Sequence, residues 1–238
     1  MPRVDELKVK IFADGADRPG MLEMYKNPHV KGFTTNPTLM RKAGVIEYEA
    51  AAKDILAAIP DRSISFEVFA DDFSEMERQA RRITTWGKQV SVKIPITNTK
   101  RESALPLVRK LSHEGIALNV TAIFTLEQVQ GVVDAVKGGA PCFVSVFAGR
   151  IADTGIDPLP IMAESVKRLR AAPNTELIWA SPRELLNIFQ ADEIGCQVIT
   201  VTNDIIKKLS LVGKDMNEYS LETVKTFYED GKAAGYKL

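Results

Sequence analysis

Short runs of apolar and β-branched residues recur along the chain, and the stretches between them place alanine, leucine and charged residues at helical spacing. The runs are KVKIFA (8–13), VKGFTT (30–35), ISFEVFA (64–70), VSVKIPI (90–96), ALNVTAIF (117–124), CFVSVFA (142–148), ELIWA (176–180) and QVITV (197–201). Each predicts a strand. Between them, EYEAAAKDILAAI (47–59), FSEMERQARRITTW (73–86) and LEQVQGVVDAVKGG (126–139, closing on glycines) predict helices. Asp157 followed by Pro158 reads as an N-cap and first-turn proline opening another helix through Arg170, whose basic last turn suits the carbonyl end of the helix dipole.

Strand and helix in this alternation predict parallel strands joined by helical crossovers, an α/β chain. A closed (β/α)8 TIM barrel satisfies every strand edge and fits the number of runs; an open doubly wound sheet is the alternative, usually with fewer strands. No linker or change of composition divides residues 1–238, so one barrel domain is expected. Its last stretch, NEYSLETVKTFYEDGKAAGYKL, reads as an amphipathic helix and tail that covers either a barrel end or a neighbouring subunit.

Strand side chains alternate between faces. In the fourth run Val90, Val92, Ile94 and Ile96 share the face that packs under helices, which turns Ser91 and Lys93 inward. The same alternation sends Phe66 and Val68 outward and Ser65 and Glu67 inward; Leu118, Val120 and Ala122 outward and Asn119 and Thr121 inward; Val144, Val146 and Ala148 outward and Ser145 and Phe147 inward. So many polar groups aimed at one interior need either a hydrogen-bonded network or a ligand. For Lys93 alone, a reach to the rim or an ion pair with Glu67 is an equally good reading; the whole set points to a catalytic mouth.

An inward amine in a site of low dielectric is suited to attack a carbonyl carbon and form a Schiff base, whose iminium then stabilises the carbanion left by cleavage of a neighbouring C–C bond. Such a reaction needs proton carriers. Asp14 after the first strand and Glu67 are the available carboxylates, and Thr121 is placed to hold a water for Glu67. Asp14 precedes a glycine and is also readable as a turn residue. Arg150 after the sixth strand, with Ser181 and Arg183 after the seventh, compose a phosphate clamp; each arginine alone is equally a surface salt-bridge partner. GFTTNP brings Thr34, Thr35 and Asn36 to the end of the second strand, where capping is the plainer role.

Composition narrows the partners. Lysine plus arginine and aspartate plus glutamate each total 31, giving a formal net charge of zero and no general drive toward nucleic acid or an anionic membrane. There is no zinc pattern, no basic-aromatic stripe and no membrane-length apolar run, so no metal, nucleic-acid or membrane partner is expected. Cys142 and Cys196 lie in apolar strands and read as buried free thiols of a reducing compartment, and the amino terminus lacks a signal-peptide core, so a cytoplasmic location is expected.

Taken in order, KIFAD, GFTTNP, SFEVFA, VKIP, NVTAIF, FVSVFAGRIAD and WASPR make a pattern that resembles the transaldolase family, including its small fructose-6-phosphate aldolase-like branch. The resemblance implies a (β/α)8 class I enzyme that works on sugar phosphates without metal or organic cofactor, often as a homo-oligomer. It implies Lys93 as the Schiff-base lysine, Asp14 as the acid/base aspartate, and Glu67 with Thr121 as the pair that positions the proton-transfer water. It further implies Asn36, Asn119 and Ser145 as ligands of the dihydroxyacetone hydroxyls, and Arg150, Ser181 and Arg183 as ligands of the phosphate. Glu67 and Phe147 match the transferase pattern, where the aldolase-like branch has glutamine and tyrosine. The expected reaction transfers a dihydroxyacetone unit from a ketose phosphate, sedoheptulose 7-phosphate or fructose 6-phosphate, to an aldose phosphate. Two departures from the family pattern, Gly15 and Pro182, leave the donor sugar the least fixed part of this expectation; aldol cleavage releasing dihydroxyacetone, or binding without catalysis, are the alternatives.

Overall fold

The computed structural model describes residues 3–238. Eight parallel strands pair in sequence order and close on themselves: β1 (Lys10–Asp14), β2 (Val30–Thr34), β3 (Ser63–Glu67), β4 (Val90–Pro95), β5 (Leu118–Ile123), β6 (Cys142–Val146), β7 (Thr175–Trp179) and β8 (Val198–Val201). The helices around and above them are α1 (Arg18–Tyr25), α2 (Pro37–Lys42), α3 (Tyr48–Ala58), α4 (Phe73–Thr84), α5 (Leu105–His113), α6 (Leu126–Val136), α7 (Ala148–Ala152), α8 (Leu159–Leu169), α9 (Leu186–Glu193), α10 (Asn203–Lys207) and α11 (Met216–Ala233). This is the (β/α)8 barrel that the alternation predicts, with every strand edge paired.

The outward side chains of the strands form one continuous core with the helices: Val92, Ile94, Phe66, Leu118, Val120, Val144 and Trp179 are among its buried members. A second, smaller cluster of Phe12, Ile178, Ala180 and Val198, joined by Phe143 and Phe147, fills the barrel axis. Gly32 is required there, because a Cβ on it would lie 2.6 Å from the Phe12 ring. Below this plug, Lys10 donates to both carboxylate oxygens of Glu176 and closes the amino end of the barrel.

Local chemistry sets the connections. Asp72 caps α4 through the backbone N–H groups of Ser74 and Glu75, and Thr125 with Gln128 forms a capping box on α6. The Asp157–Pro158 start is displaced by one residue. Pro158 itself is the N-cap and the helix begins at Leu159, whose N–H Asp157 accepts at 2.9 Å. The sixth run ends as a strand at Val146, and Ala148 opens α7 instead of continuing outward along the strand.

One further expectation is corrected, and one with two open readings is narrowed. Ala122 does not face out: it has φ of +59°, at an irregularity where the β5–β6 pairing steps from Val120↔Val144 to Ile123↔Val146. The extra residue turns Ala122 beside Thr121 toward the barrel mouth, and Ile123 takes the outward core position. The other concerns α11, which buries none of its residues and so does not cover its own barrel. Leu221, Val224, Phe227 and Tyr228 are exposed on it, Phe227 by 69%.

No helix among the described residues is long and apolar enough to cross a membrane. Cys142 and Cys196 are buried and free, and burial pushes both thiols up to about 12.

Candidate active site

The carboxyl ends of the strands surround a cavity of about 430 Å³. Its wall brings together Asp14, Asn36, Glu67, Lys93, Thr121, Ser145, Phe147, Arg150 and Ser181, with Thr34, Pro37, Ala180 and Thr200 between them. Register explains the convergence: Glu67 lies beside Lys93, and Lys93 beside Asn119, on adjacent parallel strands. Residues paired in this way point their side chains to the same face, here the barrel axis.

Lys93 is 6% exposed. Its Nζ donates to the Thr35 carbonyl at 3.2 Å and stands 3.4 Å from Glu67 Oε2. Burial is the largest influence on Glu67 and raises its pKa, against the lowering effect of the Lys93 charge and hydrogen bond; nearby Asp14 raises it further. Asp14 is raised by burial in the same way, opposed by the Lys93 charge and by the Thr34 hydroxyl, which donates to Asp14 Oδ1 at 2.7 Å. Thr34 has one proton to give, so it accepts from the neighbouring Thr200 hydroxyl, and the order runs Thr200 to Thr34 to Asp14. Neither carboxyl is therefore an ordinary surface acid.

Thr121 Oγ1 is buried and without a protein partner, and it belongs to the cavity wall. A hydroxyl in that state needs a water or a ligand group. Asn36 caps α2, its Oδ1 accepting the Leu39 N–H, and the residue also lines the cavity. Asn119 is fully buried behind the wall; its Nδ2 donates to Ser65 Oγ at 3.0 Å and its Oδ1 accepts from Ser145 Oγ at 2.7 Å. It braces Ser145 and does not line the cavity.

On the side of β6 and β7, Arg150 lies over the Phe147 ring at 5.4 Å, and Ser181 has φ of +56°, the left-handed region that few serines adopt. The two loops interlock. The Gly149 N–H donates to the Ala180 carbonyl, and a Cβ on Gly149 would fall 1.5 Å from the Ser181 oxygen, so only glycine fits. Pro182, next in the chain, is buried. Arg183 does not reach the cavity: its guanidinium pairs with Asp153 and donates to the Gly149 carbonyl.

Thr200 escaped sequence reading, although alternation within VITV places it on the inward face with Val198. Among the described residues, no cluster of His, Cys, Asp and Glu is arranged to hold a metal ion.

Fold and mouth together define a (β/α)8 barrel whose carboxyl end carries a buried lysine among carboxylates and hydroxyls. The profile of the Transaldolase/Fructose-6-phosphate aldolase family matches residues 11–238, and the chain belongs to that family. Relatives named "Probable transaldolase" include one from Dehalococcoides mccartyi, 35% identical over 202 residues, spanning 84% of this chain and 90% of the relative. A second, from Thermoanaerobacter sp. (strain X514), is 34% identical over 231 residues, spanning 97% of this chain and all of the relative. Among solved structures, a putative lyase/mutase from Burkholderia cenocepacia J2315 superposes with a TM-score of 0.58 at 13% identity, over 87% of this chain and 80% of that one. "QR15, an Aldolase" gives 0.57 at 12% identity, over 87% and 99%. At that identity these two likenesses speak for the fold alone. Family membership makes the chain an enzyme of the transferase type, with a reaction of the transaldolase, class I aldolase kind.

Proposed function

We propose that this enzyme transfers a dihydroxyacetone unit from a ketose phosphate, sedoheptulose 7-phosphate or fructose 6-phosphate, to an aldose phosphate through a Schiff base on Lys93. The single observation that supports this most is the placement of the Lys93 amine, buried in the cavity wall between the Thr35 carbonyl and the Glu67 carboxylate. An amine so held is aimed at a carbonyl entering the mouth.

The cycle begins when Lys93, having passed a proton to Glu67, attacks C2 of the ketose as the neutral amine, and the former carbonyl oxygen takes up a proton to give the carbinolamine. The carbinolamine loses water with proton transfer through a water held by Glu67 and Thr121, which gives the iminium. Asp14 takes the C4 hydroxyl proton; the C3–C4 electron pair moves into the iminium, leaving an enamine and a departing aldose phosphate. The enamine carbon then attacks the acceptor aldehyde, Asp14 returns its proton to the new hydroxyl, and water hydrolyses the iminium to free the product. Asn36 and Ser145 hold the hydroxyls of the three-carbon unit, with Asn119 bracing Ser145. Arg150 and Ser181 take the phosphate, with Arg183 behind them. Glu67 and Phe147 favour transfer over release of free dihydroxyacetone, because phenylalanine has no phenolic proton to give the enamine.

Borohydride reduction in the presence of fructose 6-phosphate tests the reading: the expected result is a three-carbon adduct on Lys93 by peptide mass mapping. An unchanged mass, or an adduct elsewhere, overturns it. Comparing dihydroxyacetone release with and without erythrose 4-phosphate then separates transfer from simple cleavage.

The reading extends to assembly. The exposed apolar face of α11 supports a homo-oligomer in which that helix packs on a second copy. Sedimentation velocity on the full chain is expected to give a species larger than one copy, and replacing Val224 and Phe227 with serine is expected to reduce its size.

A further inference from the structure

Parallel strands bond by a fixed rule: the N–H of a residue goes to the carbonyl of one neighbour, and its carbonyl receives an N–H two positions further along that neighbouring strand. The β2–β3 ladder obeys this up to Ser65, whose carbonyl accepts from the Thr35 N–H at 3.1 Å. One step on, the rule assigns the Glu67 N–H to the Thr35 carbonyl and the Glu67 carbonyl to the N–H of residue 37. Neither bond forms. Residue 37 is a proline and has no N–H. The Thr35 carbonyl receives Lys93 Nζ instead, at 3.2 Å.

Both orphaned groups of Glu67 go to one atom. Tyr48, the first residue of α3, presents its hydroxyl so that it accepts the Glu67 N–H at 3.1 Å and donates to the Glu67 carbonyl at 3.1 Å. Its ring is fixed by an edge contact with Phe69 at 5.5 Å and a tilted one with Trp86 at 5.9 Å. We infer that the Tyr48 hydroxyl stands in for the missing length of strand β2, and that by doing so it positions two groups: it fixes the backbone that carries Glu67, and it leaves the Thr35 carbonyl free to hold the Lys93 amine. Tyr48 is thus a positioning residue, outside the cavity wall, for a lysine and a carboxylate on two other elements.

The chemical part of this inference rests on the lysine reading above; the structural part does not. Tyr48→Phe deletes the hydroxyl and keeps the ring. The expected result is a kcat lowered about 10- to 100-fold with KM changed less than about 3-fold, since a displacement of about 1 Å in a reacting group is enough for such a loss. Borohydride trapping at Lys93 should slow by a similar factor. Amide exchange at Glu67 should accelerate on the order of 10-fold, while β5 and β6 amides keep their protection. Trp86→Phe loosens the same aromatic group but keeps the hydroxyl, and is expected to leave kcat and Glu67 exchange within about 2-fold of the parent, the range of a conservative packing change. The inference is overturned if Tyr48→Phe retains parental kcat and Glu67 protection, or if Trp86→Phe reproduces its whole phenotype. A parent enzyme that traps no adduct at Lys93 sinks the lysine reading, and the exchange comparison at Glu67 still decides for or against Tyr48.

Discussion

Each end of the barrel holds a lysine facing a carboxylate, and the two pairs are built differently. At the amino end Lys10 Nζ meets both Glu176 oxygens at 2.6 and 2.5 Å, with the side chains 41% and 37% exposed. At the carboxyl end Lys93 meets one Glu67 oxygen at 3.4 Å, with side chains 8% and 16% exposed. The first pair is saturated, solvated and worth about 0.2–1 kcal/mol. The second is dehydrated and loosely joined, and the raised pKa of Glu67 says that its desolvation outweighs the attraction of the lysine. The amino-end pair completes its own bonding; the Lys93–Glu67 pair is kept short of partners beside an open cavity.

Substituting the lysines one at a time gives the largest contrast. Lys93→Met should lower kcat by on the order of 10⁴-fold or more while preserving the far-ultraviolet circular dichroism spectrum. Lys10→Met should leave kcat within about 2-fold and lower stability by less than about 1 kcal/mol, read from urea unfolding. Equal kinetic effects from the two would dissolve the distinction.

Asp14→Asn follows in size: on the proposed cycle it removes the proton carrier, and kcat should fall on the order of 10²-fold. Stability should move the other way. Asp14 has a pKa raised by burial in the folded chain, so the folded state binds more protons than the unfolded state between the ordinary carboxylate value and the raised one. Stability of the parent therefore falls as pH rises through that window. The variant escapes this loss and should be more stable at pH 7 by about 1 kcal/mol, with the advantage gone once the pH lies below the unfolded-state value. A variant no more stable at pH 7 than the parent contradicts the assigned burial cost.

The smallest effect belongs to Thr34→Val. Its hydroxyl lowers the Asp14 pKa, so removing it should carry the acidic limb of the kcat profile to higher pH and leave the plateau nearly unchanged. A limb that stays in place, or moves to lower pH, would mean that a different group governs it.

The strands were legible because period-two alternation survives in a barrel whose outer face is apolar and whose inner face at the mouth is polar. That alone located Glu67, Lys93, Thr121 and Ser145. Helix α1 carries Pro19 and Gly20 in its first turn, and α5 carries Pro106 in its own, so both resemble turns when read locally. Ala122 broke the alternation through a bulge that no residue type announces. Arg183 fits a phosphate clamp by spacing, yet Asp153 thirty positions earlier claims its guanidinium. Tyr48 left no trace at all, since its partner is the backbone of another element and backbone atoms carry no sequence signature.

The interlock at Gly149 bears on how such a barrel can be altered. Chain segments following different strands of this fold are commonly regarded as exchangeable units, each free to vary while the cylinder stays fixed. Here the segments after β6 and β7 touch so tightly that a single methyl group at Gly149 collides with Ser181. They form one module in two pieces, and any redesign of this side of the mouth has to replace both together.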